Sequence, residues 1–292
     1  MQLKRLAVIA VFLLVVASFP VSGAEGYDNA ERKEIRRSDA EDVFREGLLK
    51  FRNSDYAAAV ESFEKYTLRE PNDPRGPWMN LKARCMQFRA DRKADETSGK
   101  KTEKIDDLYY AELMLLADTA IKQVQEKILE EDKVGFYRFV AADALGIKGV
   151  FQKANDNWKG GVDTAERMRE FAETSDYQDS KYLLGLAEYG LSLMPGLKGW
   201  IVRRAAPFYG FPSDREHGLQ LIHEAEMDNT GPFADDIRLL MFQILTDTKK
   251  LKDKHRRKAE EIFQVKTHDL YVRLKVLYPQ NELIRRYEGK TQ

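Results

Sequence analysis

The chain has 292 residues, 33% of them charged and 43% hydrophobic, with 48 basic side chains against 48 acidic ones. That balance suits a soluble globular chain of one large domain or two small ones, and sets up no overall field toward nucleic acid or acidic ligands. The single cysteine, Cys85, excludes an internal disulfide and a cysteine metal cluster.

Residues 1–24 read as a secretory signal peptide. Lys4 and Arg5 form a basic start, Leu6 to Val16 is apolar throughout, Phe19-Pro20 breaks the run, and Val21-Ser22-Gly23-Ala24 supplies small residues for cleavage. The apolar run is short for a membrane span, which needs about 20 residues. The expectation is an exported protein of the bacterial periplasm, cleaved near Ala24. Residues 25–39 are polar and charged and read as a flexible lead-in, with Ser38 or Asp39 placed to cap the first helix.

From Ala40 the pattern turns helical. Val43, Phe44, Gly47, Leu48 and Phe51 recur at three and four residues. Asn53-Ser54-Asp55 predicts a turn. Tyr56, Ala59, Val60, Phe63 and Tyr66 give a second apolar stripe, which Pro71, Asp73 and Pro74 end. Helix pairs are then predicted near 40–69, 76–131, 134–174, 177–228 and 232–277, with a short helix near 281–288. Ala90 to Lys104, charged and glycine-containing, reads as a solvated loop. Prolines number only 9, which favours helix, and no convincing period-2 strand is present.

Gly47, Asp55-Tyr56, Ala59, Phe63 and Pro71 fall at the offsets of a tetratricopeptide repeat, which this stretch resembles. That motif is a 34-residue helix–turn–helix in which small residues let two helices approach closely. Its second-helix signature returns as Gly161-Val162-Ala165-Met168 and Gly218-Leu219-Ile222-Ala225, with Ala120-Ile121-Val124 a partial copy. The positions 59, 120, 161 and 218 lie 61, 41 and 57 residues apart, so two pairs must carry insertions. The resemblance implies an all-α, tetratricopeptide-like solenoid of about five antiparallel helix pairs over residues 40–289. Stacked neighbours bury the apolar face that no single pair can bury alone.

The second insertion, Pro195 to Pro212 in the fourth pair, is apolar. It holds Trp200, Ile201, Val202, Phe208, Tyr209 and Phe211, with Arg203 and Arg204 among them. The surrounding run contains Leu183-Leu184-Gly185-Leu186, Leu191-Ser192-Leu193-Met194-Pro195, Gly210-Phe211 and Asp214-Arg215-Glu216-His217-Gly218-Leu219. It resembles exported bacterial tetratricopeptide-repeat proteins. It is also similar to the eukaryotic tetratricopeptide-repeat protein thirty-nine and inclusion-body-clearance family. The resemblance covers roughly Tyr177 to Thr246.

Catalytic constellations are missing from the sequence. His223-Glu224 resembles the start of a zinc-protease helix, but residue 227 is Met227 where the second histidine would stand. Gly160-Gly161 has no phosphate-cradle lysine and reads as a tight helix start, and Ser192 and Ser213 have no glycine elbow. Cys85 reads as a small buried hydrophobe. No cofactor, metal or nucleic acid is expected. In peptide-binding repeats the first helices line a concave groove, where a lysine and an asparagine can clamp a carboxylate. Phe44 and Leu48 at the matching positions point instead to a ligand that is apolar, helical or bound elsewhere. The expected function is a non-enzymatic scaffold binding a protein partner, with Phe44, Leu48, Trp200, Arg203, Arg204, Phe208, Tyr209 and Phe211 as candidate contacts. The alternative is a binding protein for a small apolar ligand or lipid, with the insertion forming part of its pocket.

Overall fold

The computed structural model describes residues 31–97, 105–129, 134–193, 204, 212–227, 234–246 and 253–291, and they are all-helical, with no strand among them. In chain order the helices are α1 (Glu31–Arg52), α2 (Tyr56–Arg69), α3 (Arg75–Thr97), α4 (Asp107–Ile128), α5 (Val134–Ala154) and α6 (Trp158–Glu173). Then follow α7 (Ser180–Ser192), α8 (Arg215–Met227), α9 (Ala234–Thr246), α10 (Asp253–Ile262), α11 (Thr267–Leu277) and α12 (Glu282–Thr291). The signal segment and all of Pro195–Pro212 except Arg204 and Pro212 lie outside the described residues.

Turn chemistry explains the boundaries. After α1 the chain takes a left-handed step at Ser54, φ 65°, and Asp55 then caps α2 by accepting a hydrogen bond from the Ala58 N–H. After α5 the same device recurs: Asp156 has φ 59° and Asn157 accepts from the Gly160 N–H. Short polar residues tolerate that backbone and supply the cap in the next position. Asp214 caps α8 by accepting from the N–H groups of Glu216 and His217.

Three boundaries differ from the sequence reading. Helix α1 starts at Glu31, inside the stretch read as a lead-in, so Ser38 and Asp39 lie within the helix rather than capping it. Residues 31–38 contain no glycine or proline and are rich in Glu, Arg and Lys, which favour helix. Helix α3 runs to Thr97, through the first half of the expected loop, for the same reason. The region 232–277 holds three helices, α9, α10 and α11, rather than one pair.

Consecutive helices pack on each other from α1 to α5, α5 packs on α6, and α7 packs on α8. Small residues make these contacts close. A Cβ built on Gly47 would stand 2.7 Å from the Phe63 ring. At the crossing of α7 and α8 the contact is reciprocal: a Cβ on Gly185 would lie 2.5 Å from the Gly218 carbonyl oxygen, and one on Gly218 would lie 2.7 Å from the Gly185 oxygen.

The first helices of the expected pairs are the inner ones. Helix α5 is buried on nearly every side between Phe139 and Phe151, and α7 and α9 are similar. A helix that is apolar all round has to sit within the fold. The outer helices α2 and α8 bury one stripe each, Ala59, Ser62, Phe63 and Tyr66 in the first and Gly218, Leu219, Ile222 and Ala225 in the second. The last segment of the chain then returns to the first turn. The Asn281 amide donates to the Arg52 carbonyl at 2.7 Å, the Gln280 N–H to Asn53 Oδ1 at 3.2 Å, and the Glu282 N–H to Ser54 Oγ at 3.2 Å. In a linear solenoid each repeat touches only its neighbours. Here the ends meet.

Candidate functional site

Phe44 and Leu48 do not line a groove. Both are buried, and the Phe44 ring packs 5.6 Å from that of Phe63 and 4.9 Å from that of Tyr66, with the Arg75 guanidinium 4.9 Å from its centre. The apolar residues expected to meet a ligand instead hold α1 against α2. Arg204 is exposed, while Trp200, Arg203, Phe208, Tyr209 and Phe211 lie outside the described residues.

Where a concave groove was expected, charged side chains from the inner helices meet one another. Lys82 of α3 donates to Asp143 Oδ2 of α5 at 2.7 Å, and the Trp78 indole N–H donates to the same oxygen at 2.8 Å. Arg52 of α1 reaches Asp236 of α9 through two hydrogen bonds, Nε to Oδ1 at 3.0 Å and Nη2 to Oδ2 at 2.8 Å. Tyr278 closes the set by donating its hydroxyl to Asp235 Oδ2 at 2.8 Å and accepting from Arg52 Nη1 at 3.3 Å. Burial pushes the Asp236 carboxyl up to about 7, against the pull of Arg52 and of Lys82. Burial also works against the Arg52 charge, but the carboxylates outweigh it and hold the guanidinium above its ordinary range. Such buried pairs fix which helices meet, because an unpartnered charge in the same place would be costly.

A second polar contact ties α7 to α8. His217 Nδ1 lies 2.7 Å from Glu188 Oε2, beside the Gly185–Gly218 crossing. Burial raises the Glu188 carboxyl, and the hydrogen bond that His217 makes to this carboxylate raises His217. Cys85 is fully buried, which pushes its thiol up to about 12 and removes it from nucleophilic chemistry. Among the described residues no group of three or more His, Cys, Asp or Glu side chains is placed to hold a metal ion.

A cleft of about 700 Å³ opens where the chain ends meet. The first turn supplies Asn53 and Ser54, α2 supplies Tyr56, and Gln280, Arg285 and Arg286 come from the C-terminal segment. Burial raises the Tyr56 hydroxyl, which is hydrogen-bonded to Ser54 and feels the charge of Arg89. Sequence reasoning missed this cleft and the Lys82–Asp143 and Arg52–Asp236 pairs. One local signal existed: Asp143 is the only charge between Phe139 and Ile147, an otherwise apolar run. No family model matches the chain, and no curated protein and no solved structure matches it.

Proposed function

We propose that this protein is an exported, non-enzymatic helical scaffold on the tetratricopeptide plan, closed by its C-terminal segment, that binds a protein partner. The reading of residues 1–24 as a cleaved signal supports export to the periplasm. Paired helices that approach closely at Gly47 and at Gly185–Gly218 support the repeat plan. With the inner helices packed against one another, the partner surface of this scaffold is an outer one.

The observation that carries the reading is on α4. Leu108 is 81% exposed, Leu115 69%, and Leu129, just past the helix end, 87%. Intervals of 7 and 14 residues place them along one side of the helix, with Lys122 between the last two. Single exposed leucines are ordinary, but a series on one face supports a contact surface. The test places a photo-crosslinking residue at position 115 in the mature protein within its native envelope. One protein species should be captured, and it should be lost in Leu108→Asp/Leu115→Asp while the helical circular dichroism spectrum stays unchanged. Capture of the same species from α6 would sink this surface. Recovery of lipid alone would replace it with the apolar-ligand reading.

A further inference from the structure

We propose, resting on the reading of α4 as a contact surface, that the partner on this face is a second copy of the same chain, paired antiparallel with the first. Helix α4 has two sides. Leu113, Ala117, Ala120, Ile121 and Val124 are buried and hold it in the fold. On the other side Ala111, Leu115, Asp118, Lys122, Gln125 and Leu129 are all exposed. Their spacing alternates between four and three residues. That keeps them in one line along the helix and is the period at which one helix pairs with another.

Charge gives the pairing its direction. The acids Asp107, Glu112 and Asp118 come first along α4, and the cations Lys122 and Lys127 follow, with one acid, Glu126, between them. An antiparallel copy therefore brings its basic end against the acidic end of the first, and two-fold symmetry repeats the match. A parallel copy would set like against like. The register that places Asp118 opposite Lys122 of the second copy also places Leu115 opposite Gln125 and Ala111 opposite Leu129, because all three pairs are centred on the same point of the helix. Each contact occurs twice.

Contacts within one chain leave the two central charges available. Lys148 of α5 donates to Asp118 Oδ1, and no described residue donates to Oδ2. Lys122 has only a loose pair within the helix, 3.8 Å from Glu126. At the rim Glu112 approaches Glu126 of the second copy. Arg84 holds Glu112 at 3.1 Å and Lys122 stands beside Glu126, so neither carboxylate meets the other without a cation at hand. The leucines supply the apolar area of the seam, and the reciprocal Asp118–Lys122 pair selects its direction.

The test is sedimentation equilibrium of the mature full-length chain at about 1–100 μM. The parent chain should form a dimer. Asp118→Lys and Lys122→Asp should each weaken it by about tenfold, since each substitution sets two like-charged pairs in the seam. An equimolar mixture of the two variants should associate as tightly as the parent, because one copy then presents two cations and the other two anions. Circular dichroism checks that both variants fold. The photo-crosslinker at position 115 should give an adduct that maps to α4 of a second copy, near Gln125. A parent chain that stays monomeric, or a mixture that associates no better than either variant alone, would overturn the proposal. Capture of a different protein from position 115 by a monomeric parent would overturn the self-pairing and leave α4 a contact surface. Capture of nothing from that position by a monomeric parent would overturn both.

Discussion

Arg52 and Asp236 stand 184 residues apart in sequence, yet the guanidinium holds the carboxylate through two hydrogen bonds of 3.0 and 2.8 Å. The pair joins α1 to α9 and, through Tyr278, to the C-terminal segment. Removing Arg52 leaves the buried Asp236 carboxyl without its hydrogen-bond partner. Arg52→Met is therefore expected to destabilise by about 3–5 kcal/mol, while Arg52→Met/Asp236→Leu should recover most of that loss. Urea denaturation of the two variants checks it. A double variant as unstable as the single one would show that the pair does more than neutralise itself.

Acidity should act through Asp179 in a direction opposite to an ordinary surface carboxylate. Burial raises its carboxyl to about 7, only partly offset by a hydrogen bond with Tyr177, against an ordinary value of 3.8. Between those values the folded chain holds a proton that the unfolded chain has released. The stabilisation from this group is full below the ordinary value and is lost as pH rises through about 7. Melting temperature measured from about pH 8 down to about pH 5 should carry an upward contribution that Asp179→Asn removes. An identical pH profile in the variant would show that Asp179 ionises normally.

The α7–α8 crossing has no room for a side chain. A methyl at residue 185 would press on the Gly218 carbonyl, and backbone cannot step aside as a flexible side chain can. Gly185→Ala should lower stability by about 1–3 kcal/mol. Helix propensity alone would raise it by about 1 kcal/mol. Thermal denaturation separates the two by sign.

Cys85 should be silent to thiol reagents in the native protein, since a thiol held near 12 yields almost no thiolate at neutral pH. Reaction with a chromogenic disulfide should appear only once denaturant opens α3. Rapid labelling of the folded protein would mean that Cys85 is not sealed in the core.

The sequence made the first helix pair legible because its turn carries Asn53, Ser54 and Asp55, residues that announce a bend. The bend between α10 and α11 was not legible. It runs through Phe263-Gln264-Val265, where Gln264 adopts φ 50° with no glycine, proline, asparagine or aspartate to mark it. Phe44 and Leu48 are legible as apolar helix positions, but apolar periodicity cannot say whether a stripe faces a groove or a packed interior. The charged pairs were hidden for a different reason. Their partners lie on helices whose adjacency depends on how the whole array curves, and no local pattern encodes that. The cleft arises from the same curvature.

The hydrogen bonds that bring Gln280, Asn281 and Glu282 onto the first turn span 227 to 229 residues. They impose an order in time. A growing chain exposes Asn53 and Ser54 early, but these residues cannot meet their partners until residue 282 has emerged. Contacts between neighbouring helices can form as the chain appears, whereas those at the ends form last and close the longest loop. A chain interrupted before Tyr278 would retain the inner helices but lose the partner that completes the Arg52 cluster. Quality control in the compartment where the protein folds would therefore meet a nearly complete molecule with one buried arginine still waiting for a hydroxyl.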